Sequence, residues 1–413
     1  MINVRLIACN SIYEVLEEGK FSHLVMGRVT LDGQDRSFYT RLVKGTIERM
    51  ITLDYLINSY SKTKVHKMKP YIRTILRMSA YQIYYMDQIP DHAVCNEAVK
   101  LTVKKGYAGL KGFVNGVLRT LSRQKESVKL PDDLSIQYSI PKWLVDYMIK
   151  SFGLEIATKM CKASLEEEKL SVWSPNKHLE GEPLPYGLNG AYVTSLENQD
   201  VLVQDVSSMI AGEITSPKEG DVILDVCAAP GGKAVHAALS LNGTGKVIAC
   251  DLTSDKTALI EENKKRLKVE NLVTKVHDAR KLNEEWIEKA DIVIADLPCS
   301  GLGIIGRKPE IKYRMSFEQV EELAKLQREI LDVVWQYVKP GGRLVYSTCT
   351  WTPLENIKNY EWFLDNHPFI AESVNLYLPE ELHSNTTTHG YLNLFAGVHK
   401  CDGFFISLAV RNK

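Results

Sequence analysis

The chain has 413 residues, 45% hydrophobic and 25% charged, with 51 basic and 51 acidic side chains. No apolar run approaches the roughly 18–20 residues that span a bilayer, and MINVRLIACNSIYEVLEEG lacks the long apolar stretch and cleavage site of a secretory signal, so a cytoplasmic protein of two or three domains is expected. The balanced total conceals an asymmetry: residues 1–130 hold 21 Lys and Arg against 11 Asp and Glu, and residues 131–413 hold 30 against 40. A basic part joined to an acidic part fits a polyanion partner or an ordinary solvated basic surface.

In chain order, the first 125 residues read as helices. Val4, Ile7, Ala8, Ile12 and Val15 recur at helical spacing. Asp35 is the expected N-cap of a helix carrying Phe38, Leu42, Val43 and Ile47. Pro70 suits a helix start ahead of YIRTILRMSAYQIYYM, and Pro90 lies beyond its end. CNEAVKLTVKK and GFVNGVLRTLS make two further helices. The polar, proline-bearing QKESVKLPDDLS (124–135) reads as a linker, leaving 1–130 as an all-α domain. Residues 131–200 read as a small α+β connecting piece: a helix in PKWLVDYMIKSF, then short strands and turns around SPNKHLEGEPLPYGLNGAY.

From 201 to 413 strands alternate with helical stretches. VILDVC, KVIACD, TKVHD, DIVIADLP and GRLVYSTC are the strands, and the alternation implies βαβ units and a parallel sheet. YLNLFAG and GFFISLAV, joined by HKCD, read as an antiparallel hairpin at the sheet edge.

Three places in this last part point to chemistry. Pro230, Gly231 and Gly232 let the chain turn tightly against a ligand at the start of a helix, whose first N–H groups are unpaired. Asp251 ends the next strand, where a carboxylate would accept from ribose hydroxyls, and Asp278 ends the third. Neither GxGxxG nor the P-loop pattern is present, so a nucleoside without a pyrophosphate fits better, S-adenosylmethionine being the commonest. A structural turn with capping or solvated aspartates also accounts for these residues. The eight cysteines (9, 95, 161, 227, 250, 299, 349 and 401) include no CxxC pair, which argues against a zinc site and a disulfide framework; no metal is expected. Two of them, in DLPCSGLG and YSTCT, follow strand ends, where ligands bind in α/β sheets.

CAAPGGK, DLPCSGLG, YSTCT and QDVSSM resemble the RNA 5-methylcytosine methyltransferases, while DRSF (35–38), LVKGT (42–46) and FVNGVLR (113–119) are NusB-like. Together they resemble the RsmB (Sun/Fmu) family, which methylates a cytosine of 16S ribosomal RNA. Leu297 stands where relatives often have alanine, and Ala234 where many have threonine. The resemblance implies a multidomain protein: an all-α NusB-like RNA-binding domain at 1–130, a connecting subdomain at 131–200, and a Rossmann-like α/β methyltransferase domain at 201–413. It implies S-adenosylmethionine held by Cys227, Ala228, Ala229, Pro230, Gly231, Gly232 and Lys233 with Asp251, Asp278 and Asp296. Gln204, Asp205, Ser207 and Ser208 would line that site or support a catalytic loop; a helix cap explains them almost as well.

Carbon 5 of cytosine is too weak a nucleophile to take a methyl group unaided. A thiolate added to carbon 6 activates it and must later be expelled, which is the task of covalent catalysis. By the resemblance, Cys349 is the nucleophile and Cys299 assists release. Asp296 would protonate or hydrogen-bond N3 of the base. The expected partner is small-subunit ribosomal RNA. Transfer RNA as substrate, or an RNA-binding protein with an inactive methyltransferase fold, stay open on the residues alone.

Overall fold

The computed structural model describes residues 3–167, 169–174, 179–193 and 201–413. They group into two compact units, Met1–Glu166 with Ile305–Arg314, and Glu167–Ile304 with Met315–Lys413.

The first unit is helical: α1 (Val4–Leu16), α2 (Ser22–Gly27), α3 (Gly33–Glu48), α4 (Met50–Tyr60), α5 (Pro70–Tyr85), α6 (Asp91–Lys104), α7 (Lys111–Gln124), α8 (Leu134–Tyr138) and α9 (Lys142–Ala163). α5 begins with Pro70 in its first turn and buries every residue from Thr74 to Ile83, so it is the central helix. α3 starts after Asp32, not Asp35; Asp35 falls in the first turn, where a carboxylate favours the helix dipole. α9 runs beyond the expected helix, through a break at Gly153 (φ 82°), and buries Leu144, Val145, Met148 and Ala157. Residues to 166 group with the helices before them. The expected connecting piece at 131–200 is therefore divided between the two units. Residues 168, 175–178 and 194–200 of it lie outside the described residues.

The second unit carries two sheets. The small one is antiparallel, in the order β2-β3-β1-β4, from β1 (Leu170–Trp173), β2 (Glu182–Pro183), β3 (Gly190–Val193) and β4 (Leu202–Val203). After α10 (Val206–Thr215) the chain builds β5 (Val222–Asp225), α11 (Gly232–Ser240), β6 (Lys246–Asp251), α12 (Ser254–Arg266), β7 (Leu272–Val276) and β8 (Ala290–Asp296). A one-turn helix, α13 (Ile311–Arg314), precedes α14 (Phe317–Val334), β9 (Val338–Thr348), α15 (Ile357–Asn366), β10 (Phe369–Ala371), α16 (Asn385–Thr388), β11 (Tyr391–Leu394) and β12 (Phe404–Arg411).

The large sheet runs β10-β12-β9-β8-β5-β6-β7, with β9, β8, β5, β6 and β7 parallel. Successive side chains leave opposite faces of a strand. Ile223, Ile292, Ile294 and Val345 thus enter one apolar layer with residues of α10, α11 and α12. Leu224, Val293, Leu344 and Tyr346 enter the other with residues of α14 and α15. Burial on both faces is why these strands read as unbroken apolar runs. β11 and β12 form the expected antiparallel hairpin, but β12 also pairs with β9, and the short β10 shares its outer edge. Among the described residues no helix is long and apolar enough to cross a membrane.

The segment Ile305–Arg314 follows the β8 loop in sequence yet belongs to the helical unit. Glu310 and Lys312 are 1% and 0% exposed. The Glu310 carboxylate accepts from the Ser22 backbone N–H (2.8 Å) and hydroxyl at the start of α2. Lys312 Nζ and the Tyr313 hydroxyl each donate to the Glu48 carbonyl at the end of α3, both at 2.9 Å. Arg314 donates to the carbonyls of Val15 (2.8 Å) and Lys20. Apart from the loop carbonyl of Lys20, the segment thus serves groups at helix ends, where backbone partners run out.

Candidate active site

Four neighbouring parallel strands end side by side. Asp225 closes β5, Asp251 closes β6, Asp296 closes β8, and Cys349 follows β9 by one residue. The register pairs Asp296 with Ser347, so the loops bearing Cys299 and Cys349 leave the sheet together. Their sulfurs lie 3.3 Å apart. Further bonds stitch the loops: Gly303 N–H to the Cys349 carbonyl (3.1 Å), and Trp351 Nε1 to the Leu302 carbonyl (2.9 Å). Gly303 is required there, since a Cβ would lie 1.9 Å from the Gly403 carbonyl oxygen. The hydrogen bond with Cys349, burial and the charge of Glu355 push the Cys299 thiol well above its ordinary pKa. All eight cysteines are free thiols.

The CAAPGGK turn joins β5 to α11. Gly231 has φ 108°, a conformation that disfavours side chains, and precedes the helix without a side-chain cap. The turn is held by Ala228 N–H to the Cys250 carbonyl (2.8 Å) and by Asn263 Nδ2 to the Pro230 carbonyl (3.0 Å). Asp251 is already engaged: it accepts from the N–H groups of Ala229 (3.0 Å) and Leu252 (2.7 Å) and from Lys256 Nζ (3.0 Å). Burial, then Asp225, raises the Cys227 pKa, so this thiol is held neutral.

Lys233, expected beside the cofactor, pairs with Asp296 Oδ2 at 2.8 Å, and Ser347 Oγ donates to Asp296 Oδ1 at 2.7 Å. Burial works against the Lys233 ammonium, but Asp296, Cys349 and Asp225 outweigh it and its pKa is raised. Asp278 is at the edge of this group and is ion-paired with Arg280 at 2.9 Å. In QDVSS the Asp205 side chain caps α10 through Ser207 N–H (2.8 Å), and Gln204 Oε1 meets His236 Nδ1 at 2.9 Å. Asp205 thus follows the helix-cap account, while Gln204 reaches α11, the helix that opens at the CAAPGGK turn.

Two residues went unmarked in the sequence. Asp225 is fully buried, and its carboxyl makes no well-formed hydrogen bond, with the Cys227 backbone N–H as a nearby weak donor. Burial, then Asp296, lifts its pKa to about 8. A buried carboxyl so poorly bonded, beside an uncapped helix N-terminus, is a fit for a ligand that brings its own donors. Its position at the end of β5 was readable; its lack of a well-formed hydrogen bond was not. The other is Glu355, buried between the two thiol loops.

The chain is similar to known proteins over its whole length. Residues 213–409 match the family described as 16S rRNA methyltransferase RsmB/F, and residues 2–123 match the NusB family. A probable ribosomal RNA small subunit methyltransferase B of Bacillus subtilis is 33% identical, over 98% of each chain. A ribosomal RNA small subunit methyltransferase B of Klebsiella pneumoniae is 30% identical, over 100% of this chain and 99% of its own. Among solved structures, PH0851 shares the fold with a TM-score of 0.80 at 23% identity, over 100% of this chain and 99% of that one. NSun6 from Pyrococcus horikoshii, solved with SFG, has a TM-score of 0.56 at 23% identity, over 66% of this chain and 98% of its own.

Proposed function

Because the chain belongs to the RsmB/F family of 16S ribosomal RNA methyltransferases, we propose that it methylates carbon 5 of a cytosine in small-subunit RNA through a covalent bond to Cys349. The observation that carries this reading is the pair of thiols 3.3 Å apart at the strand ends, beside the Lys233–Asp296 ion pair. S-adenosylmethionine, when bound, supplies the electrophilic methyl group. Its binding would fall to the uncapped start of α11 at Lys233, the Gly231–Gly232 turn, and Asp225, whose buried carboxyl would ionise against the ammonium of an amino-acid tail.

Cys349 adds its sulfur to carbon 6, and the ring electrons move toward carbon 5. Once carbon 5 is methylated, its proton leaves, the carbon 5–carbon 6 double bond re-forms, and the sulfur departs as thiolate. Cys299, kept protonated by its surroundings, is a poor competitor for the attack and is placed to exchange protons during release. For Asp296 we favour a hydrogen-bonding role. With Lys233 on one oxygen and Ser347 on the other, it offers a base acceptor capacity, suited to the exocyclic amino group, and not a proton for N3. Lys233 then sets the orientation of that carboxylate.

The basic helical unit is the part we assign to holding RNA by its phosphates. Tritium transfer from labelled cofactor, compared between small-subunit RNA and transfer RNA, tests the whole assignment. Label in ribosomal RNA alone is expected. Label in transfer RNA would change the substrate, and label in neither would remove the reading.

A further inference from the structure

A carboxylate lies between the two thiol loops. Glu355, between β9 and α15, is 0% exposed. Its Oε1 accepts the Ser300 backbone N–H at 2.7 Å, and its Oε2 accepts the hydroxyls of Ser300 and Thr352, each at 2.6 Å. Ser300 is the residue after Cys299, and its hydroxyl also meets Thr350 Oγ1, beside Cys349, at 2.8 Å. From the other side, Gln327 Nε2 of α14 donates to the Pro298 carbonyl at 2.9 Å and approaches Glu355 Oε1 at 3.4 Å.

Burying a carboxylate is costly unless donors converge on it. Here the converging donors flank the two cysteines. If the site only had to be filled, an apolar side chain would serve as well or better. What an apolar residue cannot do is tie Ser300 to the Thr350–Thr352 turn.

We propose that Glu355 is the positioning residue that keeps the Cys299 and Cys349 sulfurs adjacent, an inference that rests on the covalent mechanism above. Carbons 5 and 6 of the base are bonded neighbours. A thiol beside the one bound to carbon 6 is therefore within reach of carbon 5, where a proton must leave. If the Cys299 loop slackens, attack by Cys349 survives and release slows.

A test that needs neither RNA nor cofactor reads the sulfur pair directly. Dibromobimane fluoresces when it bridges two neighbouring thiols, and mass spectrometry identifies the bridged peptides. Glu355→Gln should bridge Cys299 to Cys349 nearly as fast as the wild type, because the amide still accepts from the Ser300 N–H and the hydroxyls can turn. Glu355→Ala should slow bridging about tenfold, the scale of removing one hydrogen bond to a charged group. In turnover, Glu355→Ala should lower kcat roughly 100-fold, as for a misplacement of about 1 Å, with the cofactor KM unchanged. If Glu355→Ala does not fold, Ser300→Ala, which keeps the carboxylate, should show the same direction at smaller size. Wild-type bridging rates in the alanine variants overturn the proposal. Slowed bridging in a protein whose wild type methylates no ribosomal RNA leaves the positioning standing and removes the assigned reaction instead.

Discussion

Cys299 and Cys349 carry the same functional group 3.3 Å apart, so only their surroundings can give them different tasks. If Cys349 attacks and Cys299 serves release, the two alanine substitutions stop turnover at different points. Cys349→Ala forms no bond to RNA. Cys299→Ala attacks and methylates but stalls, leaving a denaturant-resistant, nuclease-sensitive band of protein joined to methylated RNA, and the double substitution loses it. A band from Cys349→Ala instead would reverse the roles. Asp251 makes a second case. One oxygen holds the Ala229 N–H of the CAAPGGK turn and the other the Leu252 N–H of its own loop, so Asp251→Ala should weaken cofactor binding by roughly 1.5–3 kcal/mol and also destabilise the ligand-free protein by about 1 kcal/mol, the cost of losing part-buried hydrogen bonds. Titration calorimetry and thermal unfolding without ligand separate the two effects; an unchanged midpoint would mean that the loop is held by other interactions.

β5, β6 and β8 were legible because each is largely buried and reads as an apolar run ending in an acid, as VILD and KVIACD do. β10 was not, since three residues carry no period, and α9 was cut short because Gly153 looks like a terminus. Ile305–Arg314 was hidden for another reason. RKPEIKYR is the composition of a surface loop, yet Glu310 and Lys312 are buried by helices almost 300 residues earlier in the chain, and long-range burial leaves no local signature. Asp225 and Glu355 are the same problem inside the site. Lys312 also makes this element sensitive to pH. Burial, opposed by Glu48, assisted by Arg49 and countered by Cys161, brings its pKa from 10.5 down to about 7. Between those values the folded protein binds fewer protons than the unfolded chain, so this group makes stability rise with pH across that window, and its cost is fully present below about pH 7. Lys312→Met, compared with the wild type by thermal unfolding, should therefore fare better at pH 6 than at pH 9. The same difference at both values would show that the ammonium is not strained by its burial.

At the scale of the molecule the charge is divided, with the excess of basic residues in the first 130. Deleting that region to test RNA binding would do two things at once. It would remove basic side chains, and it would strip the partners of Glu310, Lys312 and Arg314 from a chain segment that begins six residues after Cys299. Neutralising exposed cations separates these effects. Lys104, Lys111 and Arg119 are exposed on α6 and α7, and changing all three to glutamine leaves the helical core and the hydrogen bonds of Ile305–Arg314 intact. If they meet phosphates, each phosphate pairing removed should reduce the slope of log affinity against log salt by about 0.7 on single-stranded RNA. The triple variant should then bind RNA more weakly and with a flatter salt dependence, and keep wild-type cofactor affinity and full methyl transfer at saturating RNA. The deletion should lose methyl transfer even when RNA is saturating, because the chain just beyond Cys299 has lost its anchorage. An unchanged salt slope in the triple variant would take this face out of the RNA interface, and a deletion that still turns over at saturating RNA would show that the Cys299 loop needs no support from the helical unit.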